Sequence, residues 1–143
     1  ATGSFMESLK RTSKFKFCYG NKESFRVGPG LSWSGFQDCM DRNELLTHIT
    51  PTDLFLSKSK LRTPEEVFRA AYQAGFRTVV TNFRQNQLAR DISHYRQDLR
   101  KGRVPHLFDG VDDLTKHFED MRRFYIRGVE AAREIGLTVV PCS

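Results

Sequence analysis

Twice in this chain a helical pattern stops at a glycine and runs straight into a short β-branched stretch. That alternation constrains the fold more than any other feature. The first instance begins at Thr63-Pro64-Glu65-Glu66, which combines an N-cap, a first-turn proline and a capping-box glutamate. Val67, Phe68, Ala71 and Ala74 then share an apolar face, Gly75 ends the helix, and residues 76–81 read as a strand. The second instance covers residues 113–135, with Leu114, Phe118, Met121, Tyr125 and Ala132 on one face, Gly136 as the stop and residues 137–140 as a strand. Between them lie a polar junction at 82–85 and a further helix, on which Leu88, Ile92, Tyr95 and Leu99 recur at helical spacing and are expected to face the core. The order helix, strand, helix, helix, strand predicts an α/β domain with a mostly parallel sheet flanked by helices. In open sheets of that kind ligands sit beyond the carboxyl ends of the strands, which directs attention to residues 82–93.

The 143 residues fit a single domain, 1–143, and 38% apolar with 28% charged residues is a globular balance. No apolar run approaches the ~20 residues that span a bilayer, and the N-terminus shows no signal-peptide pattern. The net charge of +6 implies an anionic partner: nucleic acid, a phosphorylated cofactor and an acidic glycan all fit. Residues 20–35, centred on Gly28-Pro29-Gly30, predict a loop, which with Trp33 and Phe36 nearby reads equally as a wall for a bound ligand and as a packed surface loop. Cys18, Cys39 and Cys142 form no C-x-x-C pair and are too few for a zinc site on their own. They read as buried small residues, with one disulfide left open. No ligand cluster for a metal is visible in the sequence.

Three segments carry candidate chemistry. Thr2-Gly3-Ser4, followed by Phe5, Met6 and Glu7, reads as a glycine-containing turn opening a helix, whose free N–H groups and dipole attract phosphate. It is not a Walker motif, because no Gly-Lys followed by Ser or Thr stands at the right spacing. Arg84 follows the end of the first strand, and Ser93 lies on the next helix. With Asn86 taken as zero, Arg90 falls at about 40° and Ser93 at about −20° on the helical wheel, opposite the leucine-bearing face. An arginine fork with a serine hydroxyl beside it can grip a phosphate, whereas a polar stripe of this kind more commonly just faces water. The third segment is Leu46-Thr47-His48, with Pro51 and Leu54 downstream. Histidine is a natural general base near neutral pH, although a lone histidine is more often structural.

Taken together these segments resemble the sulfotransferase family. In that family a turn made of a basic residue, a hydroxyl residue, a glycine and two further hydroxyl residues holds the 5′-phosphosulfate, and Thr2-Gly3-Ser4 matches its middle. Arg84, Asn86, Leu88, Ile92 and Ser93 resemble the segment that completes the 3′-phosphate site in the bacterial and nodulation-type enzymes, with the same nine-residue step from arginine to serine. Thr47-His48 with Pro51 is similar to the segment carrying the catalytic histidine of cytosolic members, except that Leu46 replaces a lysine and Pro51 comes one residue late. Ala1 stands where the family has the basic residue of the phosphate turn, the one that stabilises the bridging oxygen during transfer.

The resemblance implies a three-layer, P-loop-like domain that binds 3′-phosphoadenosine 5′-phosphosulfate without a metal. It implies transfer of the sulfuryl group to a hydroxyl or amine acceptor, a small molecule or glycan, leaving adenosine 3′,5′-bisphosphate. Thr2, Gly3, Ser4, Phe5, Met6, Arg84 and Ser93 would bind cofactor, and His48, with Glu7 in reserve, would take the acceptor proton. The family's first strand and its later contacts would lie outside this stretch, so both ends are expected to be cut. Cytoplasmic and Golgi-lumenal settings both suit such a domain.

Three rival readings remain. Lys10, Arg11, Lys14 and Lys16 interleave with Phe15, Phe17 and Tyr19, and Arg96, Arg100, Lys101 and Arg103 cluster, as in a nucleic-acid-binding module. The 84–93 arrangement is more specific than bare charge, so nucleic acid is not the expected partner. A kinase-like phosphotransferase would need the missing Gly-Lys element and carboxylates for magnesium. A catalytically inactive relative would bind the nucleotide without turning it over.

Overall fold

The computed structural model describes residues 2–12, 14–20 and 24–142. Ala1 lies outside the described residues, as do the side chains of Thr2, Gly3, Ser4 and Phe5. The elements run α1 (Thr2–Thr12), a 3₁₀ turn (Cys18–Gly20), α2 (Ser24–Val27), α3 (Trp33–Asp41), a second 3₁₀ turn (Pro51–Phe55), α4 (Pro64–Ala74), β1 (Thr78–Asn82), α5 (Gln87–Arg100), α6 (Gly110–Ile135) and β2 (Thr138–Cys142). Among the described residues the sheet is the parallel pair β1–β2, registered from Thr78 opposite Thr138 to Asn82 opposite Cys142. The α/β character expected from the sequence is therefore present.

Local chemistry explains where the elements begin and end. Thr63 Oγ1 accepts from Glu66 N at 3.2 Å, and Glu66 Oε2 accepts in return from Thr63 N at 3.1 Å, so both orphan donors at the start of α4 are satisfied. Gly75, at φ 120°, ends α4, and Gly136, at φ 103°, ends α6. α4 packs against both α3 and α6. Arg127 of α6 clamps Glu65 of α4 through two bonds of 2.6 and 2.8 Å. The core gathers Phe25, Leu31, Phe36, Leu54, Val67, Ala70, Ala71 and Ala74, with Phe36 stacked obliquely on Phe25 at 5.0 Å between ring centres. The alanines along α4 let its neighbouring helix approach closely while each still removes apolar surface from water.

Three expectations are corrected here. Residues 20–35 are not a continuous loop, because they contain α2 and the start of α3. Ser32 supplies the reason: its Oγ accepts from Gly35 N at 3.0 Å and caps α3. Phe36 is a core residue at 1% exposure and cannot wall an acceptor site, although Trp33 is about half exposed. Leu88, Ile92, Tyr95 and Leu99 do not form a core face, since each is exposed to solvent. Instead α5 is turned so that Gln87 is buried and Arg90 reaches α6.

The N-terminal third is held by other means. Cys18 and Cys39 are both buried and joined in a disulfide, while Cys142 is free. Phe17 bridges to Leu46, and Cys18 N donates to Leu46 O at 2.8 Å. Phe17 is buried and Tyr19 half-buried, its hydroxyl bonded to Asp38 at 3.0 Å. These two rings therefore cannot form the exposed stacking surface that a nucleic-acid module would need.

Candidate functional site

The carboxyl ends of β1 and β2 lie level, with Thr81 opposite Pro141 and Asn82 opposite Cys142. Two open clefts meet at that edge. The larger, about 760 Å³, lies between Phe83 with residues 85–88 and the α6 side chains Phe118, Glu119, Arg122 and Tyr125. The smaller, about 310 Å³, is bounded by Phe83, Gln85, Tyr125, Pro141 and Cys142. Phe83 and Tyr125 belong to both clefts, their rings stacked at 4.5 Å and 26°. A 3.1 Å bond between Tyr125 Oη and Thr81 Oγ1 ties the pair to β1. Flat aromatic faces, side-chain amides and one charge of each sign give the larger cleft the chemistry to hold a ring bearing polar groups.

The first turn of α5 is locked in place at this edge. Asn86 Oδ1 caps the helix by accepting from Ala89 N at 3.0 Å. Gln87, 8% exposed, donates its Nε2 to the backbone carbonyl of Arg84, which fixes Arg84 against the helix start. Gln87 Oε1 is buried and has no hydrogen-bond partner among the described residues. The Arg84 side chain is exposed, and so is Ser93 two turns along. No hydrogen bond or ion pair engages the Arg84 guanidinium or the Ser93 hydroxyl among the described residues.

Arg90 is committed elsewhere. Its Nε and Nη2 hold Asp91 Oδ1 at 3.1 and 3.0 Å, and Nη2 also meets His117 Nε2 of α6 at 3.2 Å. This polar knot, rather than the leucine-bearing face, joins the middle of α5 to α6. The sequence pattern placed Arg90 on the same stripe as Ser93, yet nothing local marked His117 as its partner.

The remaining expected residues stand apart from both clefts. His48 is half-buried in the segment between the Phe17–Leu46 bridge and the second 3₁₀ turn. Beside it, the Oγ1 of Thr47 is buried without a hydrogen-bond partner among the described residues. Glu7 is half-buried on α1, and Met6 before it is 6% exposed, so the Met6 side chain packs inward, while its amide, at the fifth residue of α1, belongs to the helix's own hydrogen-bond ladder. Neither His48 nor Glu7 lines either cleft, and neither do Arg84 and Ser93. The residues missed by the sequence reading are Phe83 and Tyr125, which lie 42 positions apart and form the platform between the clefts.

One group of metal-competent atoms gathers among the described residues: the sulfurs of Cys18 and Cys39 with a Glu44 carboxylate oxygen, all within 4.8 Å. Its donors are already engaged. The sulfurs are bonded to each other, and Glu44 Oε2 accepts from Tyr19 N at 2.7 Å and Arg42 Nη2 at 2.8 Å. The bond from Arg42 is the main cause that holds the Glu44 carboxyl below its ordinary range. Comparison with known protein families, curated proteins and solved structures finds no match to this chain.

Proposed function

We propose that this chain is the nucleotide-binding part of a sulfotransferase with a three-layer, P-loop-like architecture. It would move a sulfuryl group from 3′-phosphoadenosine 5′-phosphosulfate to a hydroxyl or amine acceptor. The observation that supports this best is that the exposed Arg84, where β1 passes into the capped start of α5, and the exposed Ser93, two turns along that helix, make no hydrogen bond or ion pair with their side chains among the described residues. When bound, the cofactor supplies an activated sulfuryl group and a bisphosphate leaving group.

The chain's own residues would divide the work as follows. Arg84 and Ser93 grip the 3′-phosphate, selecting a bisphosphate over nucleotides that lack it. Backbone amides in the first turn of α1, Gly3 and Ser4, stabilise charge on the departing 5′-phosphate. A ring nitrogen of His48 takes the acceptor proton as the new bond to sulfur forms, with the Glu7 carboxylate as the alternative base.

Isothermal calorimetry with adenosine 3′,5′-bisphosphate and 5′-AMP tests the reading. Selective binding of the bisphosphate is expected. Equal affinity for the two nucleotides would remove the basis for it. Selective binding without turnover of labelled cofactor would identify an inactive relative.

A further inference from the structure

The outer face of α5 and the turn beyond it form a surface that the proposed reaction does not use. Ile92, Tyr95 and Leu99 are 45%, 42% and 54% exposed on one side of the helix. Exposed apolar side chains also follow the helix end. The amides of Lys101, Gly102 and Arg103 bond back to the carbonyls of Gln97, Leu99 and Asp98 at 3.1, 3.1 and 2.9 Å, which folds the chain against the last turn. Val104 follows at 95% exposure, and Leu107 at 71%. Arg96, Arg100, Lys101 and Arg103, all exposed, stand in the same stretch.

Charge decides what can cover this face. From Gln87 to Arg103 the chain carries five basic side chains and two acidic ones. Arg90 and Asp91 neutralise each other at 3.0 Å, which leaves four cations against Asp98. The helix dipole accounts for a cation in the last turn, Arg100, but not for Arg96 or for the pair beyond the helix. A strongly amphipathic helix of low overall hydrophobicity, with apolar side chains on one face and cations around it, is the pattern of a helix lying in a membrane interface. A second copy of the chain would bring the same cations against each other. A nucleic acid would meet the cations but leave Ile92, Leu99 and Val104 against a charged backbone. An anionic bilayer satisfies both halves of the surface, and a tyrosine is at home at the headgroup level.

We propose that this face of α5 docks on an anionic lipid surface. Ile92, Tyr95, Leu99 and Val104 enter the headgroup boundary, and Arg96, Arg100, Lys101 and Arg103 meet lipid phosphates. The inference does not depend on the sulfuryl-transfer reading. It would hold the domain at a membrane whatever chemistry the clefts support.

Vesicle flotation tests it, using phosphatidylcholine vesicles with and without phosphatidylserine. Binding is expected only to the anionic vesicles, weakening as salt is raised. Replacing Arg96→Gln together with Arg100→Gln should weaken partitioning about 25-fold, from roughly fivefold per basic side chain near such a surface. Leu99→Asp with Val104→Asp should abolish it. All four side chains are exposed, so circular dichroism and the thermal midpoint should stay at the parent's values. Failure to bind anionic vesicles, or binding that survives the two aspartates, overturns the proposal. A dimer that those aspartates dissolve would instead identify a second copy as the occupant, and oligonucleotide binding indifferent to them would identify nucleic acid.

Discussion

Replacing Asn86 by alanine should loosen α5 without unfolding the rest of the protein. Asn86 Oδ1 accepts from Ala89 N at 3.0 Å and is the side-chain cap of this helix. Losing such a cap costs about 1 kcal/mol. In α4 a similar loss, Thr63→Ala, would register globally, because α4 carries Val67, Ala70, Ala71 and Ala74 into the core. α5 is different. Its leucine-bearing face is exposed, and among the described residues it is tied to the body by the buried Gln87 and by Arg90 and Asp91 meeting His117. It should therefore open locally, below the free energy of global unfolding. A loss of about 1 kcal/mol then means a roughly fivefold fall in hydrogen-exchange protection for the α5 amides, with α4 amides unchanged. Asn86→Asp keeps an acceptor and should restore most of the protection. An equal fall in α4 and α5 would show that α5 opens only with the whole fold. No fall in either helix would show that the cap does not hold the helix start.

Three further predictions follow from the packing. A Cβ on Gly30, at φ +79°, would sit 2.7 Å from the Lys58 carbonyl carbon and oxygen. Gly30→Ala should therefore destabilise by about 2–4 kcal/mol in urea titration, combining left-handed strain with backbone overlap. The Cys18–Cys39 bond closes a separation of 21 residues, so its reduction or Cys39→Ser should lower stability by about 3 kcal/mol, read as a shifted denaturation midpoint. Arg127 beside Glu65 is the main cause that holds this carboxyl below its ordinary value of 4.5. The folded value is thus below the unfolded one, and the ion pair stabilises the protein above about pH 4.5 and stops doing so as pH falls through the folded value. Glu65→Gln should lower the thermal midpoint near neutrality, and the gap from the parent should close in acid.

What the sequence revealed depended on how local the cause was. α4 was legible because its cap, proline, capping-box glutamate and stop glycine all lie within 13 residues of one another. The strands after Gly75 and Gly136 were legible for a similar reason. α3 was hidden because Ser32, Ser34 and Gly35 look like loop composition, while Ser32 in fact caps a helix. In α5 the helical period was readable, but which side packs was not. That side is set by Arg90, Asp91 and His117, and His117 lies 27 positions from Arg90. The Phe83–Tyr125 platform arises only when β1 and α6 meet. The pairing of Cys18 with Cys39 likewise depends on the Phe17–Leu46 bridge folding the first segment toward α3. For the candidate site, the Arg84–Ser93 spacing was visible in the sequence, and the clefts beside it were not.

The most direct test of the central claim is a double-mutant cycle on adenosine 3′,5′-bisphosphate affinity with Arg84→Ala, Ser93→Ala and the pair. If both side chains grip one phosphate, each single change should weaken binding at least tenfold, a loss of about 1.4 kcal/mol. The double variant should then lose less than the sum of the two, because removing one partner already loosens the phosphate. Affinity for 5′-AMP should stay at the parent's value throughout. Bisphosphate affinity that is unchanged in both single variants would contradict the claim that Arg84 and Ser93 form the 3′-phosphate site.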